Sequence, residues 1–288
     1  MSHIDASWTA KGFTLIEPLD PIPKVMGVLN RTPDSFSDGG KRMDLAVAVA
    51  SALEMQAEGA DVIDLGGEST RPGSRPVALD EELARVVPVL EALVGKLTAA
   101  ISIDTSKAVV ARRAIELGAV IVNDVTALGG DPEMAQVVSE TGAGVVLMHM
   151  RGTPATMQDD LHYHDVVSEV YDFLAERIDW AISQGIPRDR IAIDPGVGFA
   201  KSHEQSVAIL RNTARFAGLG CVVLIGLSRK GVVGSLTGRR VGERQTGSVV
   251  ASLAAAARGA RVLRVHDVGP MRDAVRVWSE LIGWEIHE

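Results

Sequence analysis

Eight short apolar runs, each closed by a polar residue, constrain most tightly how this chain can fold. They are VMGVL before Asn30, VIDL before Gly66-Gly67-Glu68-Ser69-Thr70-Arg71, ISI before Asp104 and AVIV before Asn123. The series continues with VVLM before His149, IAI before Asp194, VVLIGL before Ser228-Arg229-Lys230, and VLRV before His266-Asp267. Val and Ile dominate these runs, as in parallel strands that are covered on both faces. They recur about every 34 residues, close to the ~30 residues of a strand–helix–strand unit.

The segments between them carry helical periodicity: Asp44–Gly59, Asp80–Val94, Lys107–Leu117, Pro132–Glu140, His164–Gln184, His203–Phe216, Gly242–Arg258 and Pro270–Ile282. Several stop at a glycine, as Gly118 and Gly185 do, which is the usual helix terminator. Eight strands alternating with eight helices predict an α/β fold, a single (β/α)8 barrel. A doubly wound open sheet is the alternative, but neither G-x-G-x-x-G nor G-x-x-x-x-G-K-[ST] occurs. Residues 1–23 are expected to form an N-terminal extension, with Phe13–Ile16 as a hairpin strand capping the barrel floor. Residues 24–288 form the barrel domain.

Only 4% of the 288 residues are aromatic, so aliphatic packing must fill the core. A formal charge of −8 argues against a protein that coats nucleic acid or anionic membranes. Cys221 is the sole cysteine and lies in an apolar run, which predicts a core thiol and a reducing compartment. No apolar run approaches the ~18 residues of a membrane span, and no signal peptide is evident. A cytoplasmic location is expected.

Barrels of this kind place their active site at the C-terminal ends of the strands, so the polar closing residues are the candidates. Asp104, Asn123 and Asp194 offer acceptors and one amide donor, a set that suits the edge of an aminopyrimidine heterocycle. Their alternatives are local: a helix cap for Asp104, a turn for Asp194. Lys230, Arg229, Arg264 and His266 form a cationic group at the ends of strands seven and eight, a common phosphate-binding corner. Two polar loops, Thr32–Gly40 and Ser69–Gly73, can close over a ligand. Asn30 and Asp38 supply hard oxygen ligands, a sparse set that suits Mg2+ shared with substrate phosphates.

Together MGVLNRTPDSFSDGG, VIDLGGESTRPG, SIDTSK, VNDV, VLMHMRGTP, DPGVGFAK, GLSRKG and RVHDV resemble the dihydropteroate synthase family, in order, over residues 26 to 268. The resemblance implies condensation of 6-hydroxymethyl-7,8-dihydropterin diphosphate with para-aminobenzoate, giving 7,8-dihydropteroate and pyrophosphate in folate biosynthesis. It implies that Asp104, Asn123, Met148, Asp194 and Lys230 hold the pterin, and that Asn30, Arg264 and His266 hold the diphosphate. Mg2+ would sit on Asn30 and Asp38. Phe36, Thr70, Arg71, Pro72, Phe199 and Ser228 would line the aminobenzoate side. Asp104, Asp194, Lys230, Arg264 and His266 become the catalytic set, with SN1-like loss of pyrophosphate. Members are typically homodimers and sulfonamide targets, and the small-residue stretch Ser252–Ala257 is a candidate for close helix packing at a dimer interface.

Two positions depart from the family pattern. Arg31 stands where a small apolar residue is usual, and Gly231 where many members carry Ser for the aminobenzoate carboxylate. Three other readings compete. A methyltetrahydrofolate-dependent pterin-barrel methyltransferase would not need the SRK, RVHD and TRPG elements. A non-catalytic pterin-binding paralogue would not need every polar position matched. A Schiff-base aldolase would need Lys230 in a dry pocket.

Overall fold

In the computed structural model, residues 6–18, 20–30 and 41–282 are described. Strands β3 (Lys24–Asn30), β4 (Val62–Gly66), β5 (Ala100–Asp104), β6 (Ile121–Asp124), β7 (Gly144–Met148), β8 (Ile191–Asp194), β9 (Val222–Gly226) and β10 (Ala260–Val265) close into one parallel barrel. The order runs round from β3 to β10, and β10 pairs back onto β3. Ahead of it, β1 (Trp8–Ala10) and β2 (Phe13–Ile16) pair antiparallel, as expected of a hairpin extension.

Helices α1 (Lys41–Ala57), α2 (Leu79–Leu93), α3 (Ala108–Glu116), α4 (Met134–Thr141) and α5 (Val166–Ser183) each bridge successive barrel strands. Two of the expected helices need correction. The segment His203–Phe216 is two helices, α6 (His203–Arg211) and α7 (Thr213–Ala217), because Asn212 leaves helical geometry at ψ 20. The segment between β9 and β10 also holds two: α8 (Gly231–Thr237), ended by left-handed Gly238, and α9 (Gln245–Ala256). The last, α10 (Val268–Ile282), begins two residues earlier than its periodicity suggested.

Alternation along each strand sorts the core in two. One residue set, including Leu29, Ile63, Leu65, Ile103, Val145, Leu147, Ile193, Ile225 and Leu263, packs outward under the helices. The other, Met26, Val62, Ile121, Val146, Ala192, Val222, Leu224 and Val262, fills the barrel interior and meets Trp8, Ala10 and Ile16 of the hairpin. Trp8 is wholly buried, and its indole N–H donates to the Arg190 carbonyl at 3.1 Å. The hairpin therefore seals the N-terminal end with apolar surface. Stepping two residues up from the interior set along its own strands reaches Asp64, Asn123, Asp194 and Arg264. The lining changes from hydrocarbon at the floor to charge at the mouth, which positions the site.

Candidate active site

The sheet register gathers the predicted residues. Asn30 pairs in register with Gly66, Gly66 with Asp104, and Asp104 with Asn123, so four neighbouring strands end in one layer. Across the barrel, Met148 is level with Asp194. Gly66 contributes no side chain to this layer: a Cβ there would stand 3.2 Å from Asn30 Oδ1 and 3.5 Å from Asp104 Cβ. The missing atom leaves room for the Asn30 amide beside Asp104.

Asp104 is not a helix cap. Helix α3 starts four residues later with Lys107 at its cap position, and its Ala108 N–H is met by Asp131 Oδ2 at 2.8 Å. The Asp104 carboxylate instead accepts from Arg264 Nη2 at 2.7 Å, while Arg264 Nε donates to Asp64 Oδ2 at 2.6 Å. Asn123 Nδ2 donates to the same Asp64 oxygen at 3.0 Å, leaving its carbonyl oxygen for other partners. Burial pushes the Asp104 carboxyl up, and Arg264 pulls it down by less. It stands at about 7, with Asp64 adding to the rise. Arg264 is raised, because the carboxylates of Asp64 and Asp104 outweigh its desolvation.

On the opposite side, Asp194 Oδ1 accepts the Gly196 N–H at 2.7 Å, so it makes its turn and still faces the mouth. Burial raises its carboxyl, against the opposing pull of Lys230. Lys230 Nζ donates to the Val197 carbonyl at 2.6 Å and lies 4.5 Å from the centre of the half-buried Phe199 ring. Burial pushes this lysine down to about 8, with Asp194 resisting. Gly231 opens α8, and a Cβ there would come within 2.8 Å of His203 Cε1, so the His203 ring occupies the room a serine would need.

His266 differs from the cationic residue expected. Burial first, then the charges of Arg229, Arg264 and Arg71, push its imidazole down to about 4, so it is neutral near pH 7. Its Nδ1 is buried and has no hydrogen-bond partner among the described residues. Ser228 is buried and its Oγ accepts the His266 backbone N–H at 3.1 Å. Arg229 points away into a two-pronged ion pair with Asp267 (2.6 and 3.2 Å). In the second loop Thr70 is half-buried, while Arg71 and Pro72 are exposed. That loop is held at its root by Arg85 Nη1 on the Gly67 carbonyl (2.7 Å) and further along by the Gly73 N–H on the Pro154 carbonyl (2.9 Å). Phe36, Asp38, Arg31 and the whole Thr32–Gly40 loop lie outside the described residues.

Three buried groups went unassigned at the level of sequence. Asp64, with no exposure, sits inside the run VIDL, where its place on the inner face is visible only once the register is known. Lys201 closes the DPGVGFAK stretch and meets His149 Nδ1 at 2.8 Å. His149, which closes the run VVLM, packs edge-on to Phe173 and is driven down to about 2 by burial, then by Lys201. Cys221 is a core thiol as expected, raised by burial to about 11. His162 and His164 meet edge to face in a loop, and among the described residues no group of three or more His, Cys, Asp or Glu is placed to hold a metal.

Known proteins resemble this chain in sequence and fold over most of its length. The pterin binding enzyme family matches residues 26–266. The dihydropteroate synthase of Haemophilus influenzae is 42% identical over 258 residues, covering 90% of this chain and 94% of the relative. The structure of Xanthomonas albilineans dihydropteroate synthase with 4-aminobenzoic acid superposes with a TM-score of 0.88 at 47% identity, covering 96% and 98% of the two chains. The same enzyme with 7,8-dihydropteroate gives 0.84 at 44% identity, with the same coverage. With its barrel closed, its mouth lined in register by Asn30, Asp104, Asn123 and Asp194, and relatives of this identity along nearly its whole length, the chain belongs to the dihydropteroate synthase family of pterin-binding enzymes.

Proposed function

We propose that the chain catalyses the dihydropteroate synthase reaction by dissociative substitution, with the two sides of the barrel mouth dividing the work. The observation that carries this reading is the placing of buried Asp104 and Asp194 on opposite walls, each beside a cation, Arg264 or Lys230. The pterin ring lies between them. Its ring N–H and amino groups donate to Asp104 and Asp194, the Asn123 amide completes the edge, and Met148 packs against a face.

The C–O bond to the diphosphate breaks first, and its electron pair leaves with pyrophosphate. Positive charge then spreads over the exocyclic methylene and the ring, where the carboxylates stabilise it in a low-dielectric site. Arg264 uses two of its five N–H groups on Asp64 and Asp104. The others face the leaving group, with neutral His266 as a further donor. The arylamine lone pair forms the C–N bond, and the proton on the product ammonium passes to solvent or pyrophosphate. The aminobenzoate lies along Thr70, Arg71, Pro72, Phe199, Ser228 and Phe36.

Mg2+ fits the oxygen donors present. The Asn30 amide stands in the space left by Gly66, beside Asp104, and Asn30 with Asp38 would hold the ion. One or two protein oxygens plus phosphate oxygens is the ordinary Mg2+ arrangement, and the ion would supply charge neutralisation on the departing diphosphate.

A homodimer is also proposed. Within the small-residue stretch Ser252, Ala255 and Ala256 are buried, while Ala254 and Ala257 are exposed and open to close approach by a second copy. Neighbouring segments of the chain add apolar surface, with Leu236, Val241 and Val250 all more than half exposed.

An assay with the pterin diphosphate, Mg2+ and para-aminobenzoate tests the reaction by following dihydropteroate and pyrophosphate. Absence of turnover by folded protein rejects it. Slow pyrophosphate release without aminobenzoate supports the dissociative order. Asp104→Asn should cripple pterin binding, while Arg71→Ala should chiefly impair aminobenzoate use. Equal loss of pterin binding in both refutes the division.

A further inference from the structure

Four consecutive carbonyls in the loop after β8 are each tied by a side chain. Lys230 Nζ donates to Val197 at 2.6 Å, Gln158 Nε2 to Gly198 at 3.3 Å, Lys201 Nζ to Phe199 at 3.0 Å, and Tyr163 Oη to Ala200 at 2.9 Å. The backbone turns sharply enough here that regular pairing cannot serve. Gly196, Gly198 and Ala200 all have positive φ (68°, 80° and 48°), and a Cβ on Gly196 would stand 1.9 Å from the His149 carbonyl oxygen. Ala200 bears the strain of a left-handed residue with a side chain, so bonds to this loop must offset it.

Lys201 is the enclosed member of the set, with 3% of its surface exposed. It reaches the Phe199 carbonyl and, at 2.8 Å, His149 Nδ1. A charged Lys201 has only protons to offer, so in that form His149 Nδ1 accepts from it. The charged groups facing Lys201 are Asp194 from β8, Arg151 from the segment after β7 and Lys230 from the start of α8. Burial lowers the ammonium most and Asp194 raises it, while Lys230 and Arg151 lower it further, to about 7. Lys230 and Lys201 thus grip the backbone at Val197 and at Phe199, and Lys230 also lies over the Phe199 ring.

We propose that Lys201 is a positioning residue for the second-substrate wall: by holding the Phe199 carbonyl it fixes where the Phe199 ring stands, without touching either substrate. This rests on the reading that Phe199 lines the aminobenzoate side. A lysine that merely filled a core gap would affect stability and leave substrate constants alone. A lysine in the pterin pocket would affect pterin binding.

Steady-state turnover of the wild-type chain, Lys201→Met, Phe199→Leu and the double variant tests it, varying each substrate at saturation of the other. Lys201→Met is expected to raise the aminobenzoate KM by about 10-fold, with kcat and the pterin KM changed less than ~3-fold. The double variant is expected to match Phe199→Leu alone, since two residues acting through one position are not additive. Multiplying effects, or an equal rise in the pterin KM, overturn the proposal. No turnover by the wild type would instead strike the reaction itself. If Lys201→Met does not fold, Lys201→Gln, which keeps an N–H donor, takes its place in the same cycle with a smaller KM rise expected. The wild-type to Lys201→Met ratio of kcat/KM for aminobenzoate should fall as pH rises from 6 to 9, because the lysine loses its charge in that interval. A flat ratio overturns the role of the charged form.

Discussion

Arg264 Nε lies 2.6 Å from Asp64 Oδ2, which locks the last barrel strand onto the second through the interior. The same oxygen takes the Asn123 amide, so one buried carboxylate aims both a cation and an amide at the mouth. Removing one partner of a buried pair leaves the other charge uncompensated and costs about 3–5 kcal/mol. The second carboxylate, Asp104, still faces Arg264 and limits the loss.

Asp64→Asn should therefore lower unfolding free energy by about 2–3 kcal/mol and weaken pterin affinity by at least ~10-fold. Urea denaturation and calorimetric titration with a pterin measure the two. Full affinity in a destabilised variant would reduce Asp64 to a structural role.

The case of Asp64 also explains what the sequence could and could not reveal. Runs such as AVIV and IAI stop one or two residues short of their strand ends, so Asn123 and Asp194 stand out as the polar closures of apolar segments. Asp64 lies within its run, and an isolated polar residue there reads as an interruption until the register assigns it to the interior with Asn123 and Arg264. The break at Asn212 and the short helix α8 were invisible for a related reason: a continuous helical period is indifferent to one residue that leaves helical geometry. The charge of His266 is not legible in sequence because burial sets it first, and Arg229 and Arg71, both far along the chain, add to nearby Arg264.

His266 should remain neutral in the ligand-free protein until the pH falls to about 4. With a folded value below the ordinary one, its contribution to stability is present above pH ~6.5 and is lost as the pH falls through the folded value. An anion beside the ring favours the imidazolium, so adding pyrophosphate should raise its titration midpoint. Histidine ring signals followed by NMR with and without pyrophosphate give both values. An unmoved midpoint would place the diphosphate elsewhere.

Not every ion pair near the site carries equal weight. Lys107 bridges Glu68 at the root of the second loop and the wholly buried Glu82, which also accepts from Thr105 Oγ1 at 2.6 Å. Arg113 pairs with Glu91 and Glu116 on the exposed flank. Lys107→Met should cost about 2–4 kcal/mol by stranding the Glu82 carboxylate, whereas Arg113→Ala should cost less than ~0.5 kcal/mol. Matching losses in denaturant midpoints would show that burial of Glu82 does not govern the difference.

The hairpin offers a test of how far floor and mouth are independent. Trp8 buries its entire side chain against the interior residues, and its N–H satisfies the Arg190 carbonyl just before β8. Trp8→Ala opens a cavity beneath the barrel and should cost about 3–5 kcal/mol. Trp8→Phe keeps most of the apolar contact, loses the hydrogen bond, and should cost about 1–2 kcal/mol. Asp104 and Asp194 are held from the sides, by Arg264 and by the Gly196 turn, and the apolar interior layer separates them from Trp8. Folded protein of either variant should therefore bind pterin within ~3-fold of the wild type, since sites without shared partners behave additively. A larger loss of affinity at matched folded concentration would mean that the floor sets the register of the mouth.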